Sequence, residues 1–163
     1  MYELLTLPDA RLRQKSQVVT QFDDGLCKFS VDLAQAMLAG LGGVGIAAPQ
    51  LGMLQRIIIV DCALGQYKNK NHGRLLMINP EIIDKDGEVL GREGCLSVPE
   101  WVGTVSRARR ITVSYQDIEG QQHELSTKAF EARVIQHEID HLDGILFIDK
   151  VVSTKDLIRR MSS

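Results

Sequence analysis

The residues best able to do chemistry in this 163-residue chain stand together as His137-Glu138-Ile139-Asp140-His141. Two histidines four apart on a helix project from the same face and can both reach one metal ion. A glutamate between them can sit beside a water on that ion. In zinc enzymes the pKa of such a water falls to roughly 7, so it becomes a usable nucleophile at neutral pH while the glutamate takes and returns protons. An ordinary helix with polar residues on its solvent side could carry the same five residues. Here Ile135, Ile139 and Leu142 give the segment a buried side next to the histidines, so both imidazoles are expected to face the interior or a cleft.

A catalytic metal site usually has three protein ligands, so two histidines leave this one short. The best candidate for the third lies in Glu93-Gly94-Cys95-Leu96-Ser97-Val98-Pro99, where Cys95 offers a thiolate and Gly94 lets the backbone turn sharply or pack closely. Taken alone, Cys95 reads more readily as a small buried hydrophobe. Nitrogen and sulfur donors suit zinc, iron, nickel or cobalt, and the ligand set alone does not choose among them. Glu93, Asp140 and Gln136 are candidates to orient a ligand, Glu93 and Asp140 by accepting a histidine N–H. His72 and His123 sit in polar, turn-like stretches and Cys27 and Cys62 in apolar ones, and no chemistry is expected of them.

The elements that must carry these residues follow from periodicity. From about Phe22 to Leu41, the residues Leu26, Phe29, Leu33, Ala36, Met37 and Leu41 recur at three- and four-residue steps, the pattern of an amphipathic helix. The glycine cluster between Gly40 and Gly45 ends it. Arg56-Ile57-Ile58-Ile59-Val60-Asp61 reads as a short buried strand. Further strands are expected at Leu75–Asn79, Glu81–Asp84, Glu88–Arg92, Val102–Val105, Ile111–Tyr115 and Gln122–Ser126, with turns at Lys85-Asp86-Gly87 and Ile118-Glu119-Gly120. These connections are hairpins, not βαβ crossovers. From Thr127 to about Leu142 the spacing returns to helical, with Phe130, Val134, Ile135, Ile139 and Leu142 on one broad side and Gly144 as the stop. The expected fold is therefore α+β. Antiparallel β-sheets pack around a central C-terminal helix carrying the two histidines, and an N-terminal helix completes it.

Composition narrows the setting. With 163 residues, 44% of them hydrophobic, the chain can bury one sizeable core, and a single domain over residues 1–163 is expected. Charged residues make up 25% with both signs interspersed, and a net charge of −2 provides no field for gripping a phosphate backbone, so direct nucleic-acid readout is not expected. Met1-Tyr2-Glu3-Leu4-Leu5 has neither a basic flank nor a long apolar stretch, and runs such as Ile57–Val60 are too short to cross a bilayer. A soluble cytoplasmic protein with no membrane partner is expected. Three cysteines, Cys27, Cys62 and Cys95, lack the spacing of a disulfide scaffold, which suits a reducing compartment.

Three blocks together resemble the peptide deformylases. They are Gly43-Val44-Gly45-Ile46-Ala47-Ala48-Pro49-Gln50, then Glu93-Gly94-Cys95-Leu96-Ser97, then Gln136-His137-Glu138-Ile139-Asp140-His141-Leu142-Asp143-Gly144. Their order and separations fit, and the resemblance runs from Pro8 to about Val151. It implies an amidohydrolase that removes the formyl group from the N-terminal methionine of newly synthesised proteins. Cys95, His137 and His141 would hold one divalent metal ion, and Glu138 would move the protons. Gln50 and the backbone N–H of Leu96 would form the oxyanion hole, where a tetrahedral intermediate needs donors already aimed at it. The small residues of the first block, with Gly94, let backbone approach a ligand closely, which suits a peptide adding itself as a strand beside Val44, Gly45 and Ile46. Val44, Phe130 and Val134 are candidates for the methionine pocket, although each could equally be plain core.

The resemblance implies Fe(II) in the cell, with Zn(II), Ni(II) or Co(II) also accepted. A thiolate ligand lowers the Lewis acidity of the ion, which favours a metal that readily expands its coordination. Expected partners are N-formylmethionyl peptides and nascent chains, with a transient ribosome contact, and the protein is expected to be a monomer. Two features depart from the family. Glu100-Trp101-Val102-Gly103 stands where some members carry an arginine that meets the peptide, so Trp101 is expected to offer an apolar wall instead. The tail from Val152 to Ser163 is short, with Lys155, Arg159 and Arg160 on an expected brief helix, where longer bacterial members have a basic helix resembling a ribosome anchor.

Two other readings compete. One is a zinc peptidase of the HExxH type, against which a thiolate ligand argues, since such peptidases usually take a histidine or carboxylate as third ligand. The other is a structural metal site in a binding module. Such a site closes its fourth position with a protein ligand, and no second cysteine or third histidine stands near the three blocks.

Overall fold

A computed structural model of the chain describes residues 2–40 and 43–159. The first helix, α1 (Asp24–Ala39), starts where Asp23 accepts a hydrogen bond from the backbone N–H of Leu26 and stops at Gly40. Its expected last residue, Leu41, lies outside the described residues. Leu26, Phe29, Leu33 and Met37 form its buried stripe, as the spacing predicts.

A five-stranded antiparallel sheet forms the middle layer in the order β1 (Gly45–Ala47), β2 (Ile57–Asp61), β3 (Arg74–Asp86), β6 (Arg110–Gln116) and β7 (Gln122–Lys128). The second helix, α2 (Ala129–Leu142), covers its other face and ends before Gly144, which has a positive φ of 73°. Strand β2 shows why the sheet is so apolar: Ile57 and Ile59 pack with Leu33 and Met37 of α1, while Ile58 and Val60 pack with Ile135 and Ile139 of α2. A strand covered on both faces has no polar alternation to show, so an unbroken run of branched residues is what it requires. A second sheet of β4 (Val89–Cys95), β5 (Val98–Arg107) and β8 (Ile158–Arg159) closes the site from the side, with Val98, Val105, Leu146 and Phe147 beneath it. The fold is thus α+β, with antiparallel sheets around the helix that carries His137 and His141. No described helix is long and apolar enough to cross a membrane.

Several expectations change at element ends. The two strands expected at Leu75–Asn79 and Glu81–Asp84 are one strand, β3, whose register shifts between Ile78 and Glu81 and again between Ile82 and Asp84. The irregularity absorbs Pro80, which has no N–H to give the ladder, and Asn79, whose φ is +53°. Strand β5 is far longer than Val102–Val105, because pairing with β4 carries it through exposed residues that lack an apolar pattern. The short strand β1 carries no sequence signal of its own and exists through its pairing with β2. The brief helix expected in the tail is reduced to one 3-10 turn, Thr154–Asp156, which carries Lys155; beyond it Trp101 pairs with Arg159 and Val102 with Ile158, so the described end of the tail adds an edge strand to β5. A segment this short cannot extend a single turn into a stable helix by itself, whereas an open strand edge offers its last residues ready backbone partners. Arg160 lies outside the described residues.

Candidate active site

Three elements bring the chemistry together. Strand β1 and the turn Ala48–Leu51 that follows it supply Gly45 and Gln50, the two-residue link Leu96–Ser97 between β4 and β5 places Cys95, and α2 presents His137, Glu138 and His141. The donor atoms of Cys95, His137 and His141 all lie within 4.8 Å of one another, and Cys95 Sγ is 3.2 Å from His141 Nε2. Atoms bound to one ion at about 2.0–2.3 Å are at most roughly 4.6 Å apart, so the cluster already has nearly the spread that a single ion requires. Among the described residues this group has three such donors and no fourth, which leaves a position open and argues against a closed structural site.

The helix histidines differ in their support. His137 Nδ1 is 2.9 Å from Glu93 Oε1, which leaves Nε2 free for a metal. His141 Nδ1 is buried and has no hydrogen-bond partner among the described residues. Asp140, expected as a candidate orienting residue, holds neither histidine. It pairs with Arg107 Nη1 at 2.5 Å and with Lys150 at 3.1 Å, because it points to the side of α2 away from the cysteine. Gln136 is also turned elsewhere: its amide bonds the backbone of Ala108 through both its oxygen and its nitrogen and so ties α2 to the end of β5.

Glu93 is the electrostatic centre of the site. Burial opposes its charge, but hydrogen bonds from Arg107 and His137 outweigh that and hold its carboxyl far below the usual range. Burial likewise disfavours the charged form of His137, yet hydrogen bonds with Cys95 and Glu93 raise its pKa well above the ordinary value. His141 goes the other way, lowered by burial and then by the positive charges of His137 and Arg107. Among the described residues no cation is bonded to Glu138, and burial pushes it up to about 7. Its Oε1 is buried without a partner among the described residues. An orphaned carboxylate oxygen beside an N,N,S donor set fits a catalytic metal site.

Gln50 is almost fully buried. Its Oε1 accepts the backbone N–H of Ala47 at 2.9 Å, and since that N–H can only donate, the amide nitrogen must be the atom that points toward the cysteine. Nε2 lies 3.0 Å from Ser97 Oγ and 3.8 Å from Cys95 Sγ. A cavity of about 220 Å³ opens beside these groups, lined by Gly43, Val44, Gly45, Gln50, Arg92, Glu93, Gly94, Cys95, Leu96, Phe130, Arg133, Val134, His137 and Glu138. Val44, Gly45, Gly94, Phe130 and Val134, expected at the substrate, all line it, whereas Ile46, expected beside the peptide strand, does not. A larger groove of about 770 Å³ lies on the far side of Phe130, away from the donor cluster.

The structure parts from expectation at four more residues. Trp101 does not line the cavity and stands on β5 opposite Arg159. Cys27 is exposed on α1, not apolar in its surroundings, whereas Cys62 is buried as expected. Arg107 and Arg133 escaped sequence reading although both are buried beside Glu93. The one signal for Arg133 was an arginine four residues before His137, within the apolar stretch of α2.

Fold and site together define an α+β protein with a buried Cys/His/His group that could bind one metal ion. A family profile described as polypeptide deformylase matches residues 1–157, and the chain belongs to that family. It is 40% identical over 153 residues to the peptide deformylase of Desulfotalea psychrophila, covering 94% of this chain and 89% of the relative. With that of Syntrophomonas wolfei it shares 42% identity over 155 residues, 95% of this chain and 96% of the relative. The crystal structure of peptide deformylase from Thermotoga maritima superposes with a TM-score of 0.85 at 38% identity, covering 94% of this chain and 99% of that one. The Synechococcus elongatus enzyme, solved in complex with actinonin, gives 0.86 at 35% identity over 95% of this chain and 81% of its own.

Proposed function

We propose that this chain is a metal-dependent hydrolase that removes the N-formyl group from the N-terminal methionine of newly synthesised proteins and releases formate. The observation that carries the reading is the meeting, in one cavity, of the Cys95, His137 and His141 donors with the unpartnered carboxylate of Glu138, in a chain of the deformylase family. Cys95, His137 and His141 would hold the ion. When bound, it would polarise the formyl carbonyl as a Lewis acid and lower the pKa of water. Fe(II) is the preferred ion because a thiolate-softened site favours a metal that accepts a fifth ligand, with Zn(II), Ni(II) or Co(II) as substitutes.

The residues around the ion divide the remaining work. Glu138 takes a proton from the attacking water and returns it to the leaving amine, and a carboxyl held near neutrality by burial suits both transfers. The Gln50 amide, its orientation fixed by Ala47, and the N–H of Leu96 receive the developing oxyanion. Val44, Phe130 and Val134 enclose the methionine side chain, while Gly45 and Gly94 keep the cavity wall thin enough for the peptide backbone. The chain acts as a single cytoplasmic catalytic domain and a monomer. Lys155 and Arg159, both exposed, are available for a transient ribosome contact.

Metal-loaded protein is offered formyl-Met-Ala-Ser and acetyl-Met-Ala-Ser. Formate release from the first, with the Met-Ala bond intact and the second untouched, is the expected outcome. Cleavage of Met-Ala would replace the proposal with a peptidase, and no turnover of either would reduce the metal to a structural role.

A further inference from the structure

Strand β4 and helix α2 face each other in register. Residues four apart on a helix rise about 6 Å, and residues two apart on a strand rise about 6.6 Å, so the two series keep step over a short span. Arg133, His137 and His141 on α2 therefore stand against Gly91, Glu93 and Cys95 on β4. The Arg133 guanidinium lies where a side chain of Gly91 would be, Glu93 is shared by Arg133 and His137, and Cys95 meets His141.

Arg133 closes the end of this ladder. Its Nη1 donates to Glu93 Oε2 at 2.6 Å and to the carbonyl of Val105 at 3.0 Å, and its Nη2 donates to the carbonyl of Val89 at 2.7 Å. One side chain of α2 thus grips both strands of the hairpin that carries Cys95, together with the carboxylate that orients His137. A flat fork of donors is well suited to serve a carboxylate and two carbonyls at once. The position needs glycine opposite: a Cβ built on Gly91 falls 2.7–2.9 Å from the guanidinium atoms.

We propose that Arg133 is a positioning residue for the metal site, setting the distance between the cysteine-bearing hairpin and the histidine-bearing helix and holding Glu93 against His137. This rests on the assignment of Cys95, His137 and His141 as ligands. Arg133 touches neither the ion nor the formyl group, so its loss changes the shape of the donor set and not its membership.

Metal-free wild type, R133M, R133K, G91A and C95A are titrated with Co(II) against a chromophoric chelator, and the thiolate-to-cobalt absorption is recorded. R133M and G91A are expected to weaken Co(II) binding by about 10–100-fold, the usual effect of losing a group that orients a ligand, and to shift the thiolate band. R133K should recover part of the affinity. A folded R133M with wild-type affinity and band would overturn the proposal, even if its melting temperature fell, because that is what a purely structural tether would give. Should R133M fail to fold, G91A decides in the same way, since it keeps every donor of Arg133 and only displaces the fork. C95A must lose the thiolate band; if it does not, the ligand assignment itself fails, whatever the arginine variants do.

Discussion

Gly45→Ala tests the closest approach in the site. A Cβ at Gly45 falls 2.7 Å from Glu138 Oε2, 2.9 Å from Val134 Cγ1 and 3.1 Å from Glu138 Cγ. Ordinary carbon–oxygen contacts begin at roughly 3.2–3.4 Å, so the carboxylate must retreat by about half an ångström or more. It cannot do so freely, because α2 is packed on β1 and β2 and the Val134 methyl is pressed from the same side. A misplacement of about 1 Å costs on the order of 10²-fold in rate, so kcat should fall by about 10–100-fold. Overpacking should also lower stability by about 1–3 kcal/mol. Cys95, His137 and His141 are not among the atoms the new methyl meets, and metal content should stay at the wild-type level. The assay is formate release from formyl-Met-Ala-Ser, beside metal analysis and urea denaturation of the same preparation. A kcat within twofold of wild type would refute the claim that Gly45 keeps open the space for Glu138.

Three further outcomes are expected. In chelator-treated protein the raised pKa of Glu138, about 7 against 4.5, means that the folded state keeps a proton that the unfolded chain releases. Its contribution is therefore fully favourable below pH 4.5 and is lost as pH rises through 7, so Glu138→Gln should gain up to about 3 kcal/mol on wild type between pH 4.5 and 8; a pH-independent gap in urea denaturation would show that Glu138 is not buried as described. Gln50→Ala should lower kcat by on the order of 10²–10³ with a smaller effect on KM if the amide meets the oxyanion, whereas a change in KM alone would make it a ground-state contact. Burial, reinforced by Glu131 and Asp61, pushes the Cys62 thiol up to about 12, while Cys27 is exposed; iodoacetamide at pH 8 should thus label Cys27 and spare Cys62 in the folded protein, and equal labelling by mass spectrometry would contradict the packing around Cys62.

Local spacing determined much of this protein by itself. Three- and four-residue apolar steps marked both helices, the branched run at Ile57–Val60 marked the central strand, and His137-Glu138-Ile139-Asp140-His141 fixed one face of α2, because each of these signals is written within a few turns or residues of backbone. The block around Cys95 was legible as a candidate third ligand, and its family resemblance named the rest of the site. Only the tertiary structure decided which neighbours those residues meet. Asp140 and Glu93 look alike as carboxylates near ligands, yet one turns to Arg107 and Lys150 and the other to His137, since a side chain's direction around a helix or strand counts only once a second element is packed against it. The need for glycine at 45 and 91 likewise arises from Glu138 and Arg133 across the interface with α2. The end of the tail became a strand for the same reason: past one 3-10 turn, Ile158 and Arg159 found an open edge on β5, and that edge exists only after the hairpin has folded.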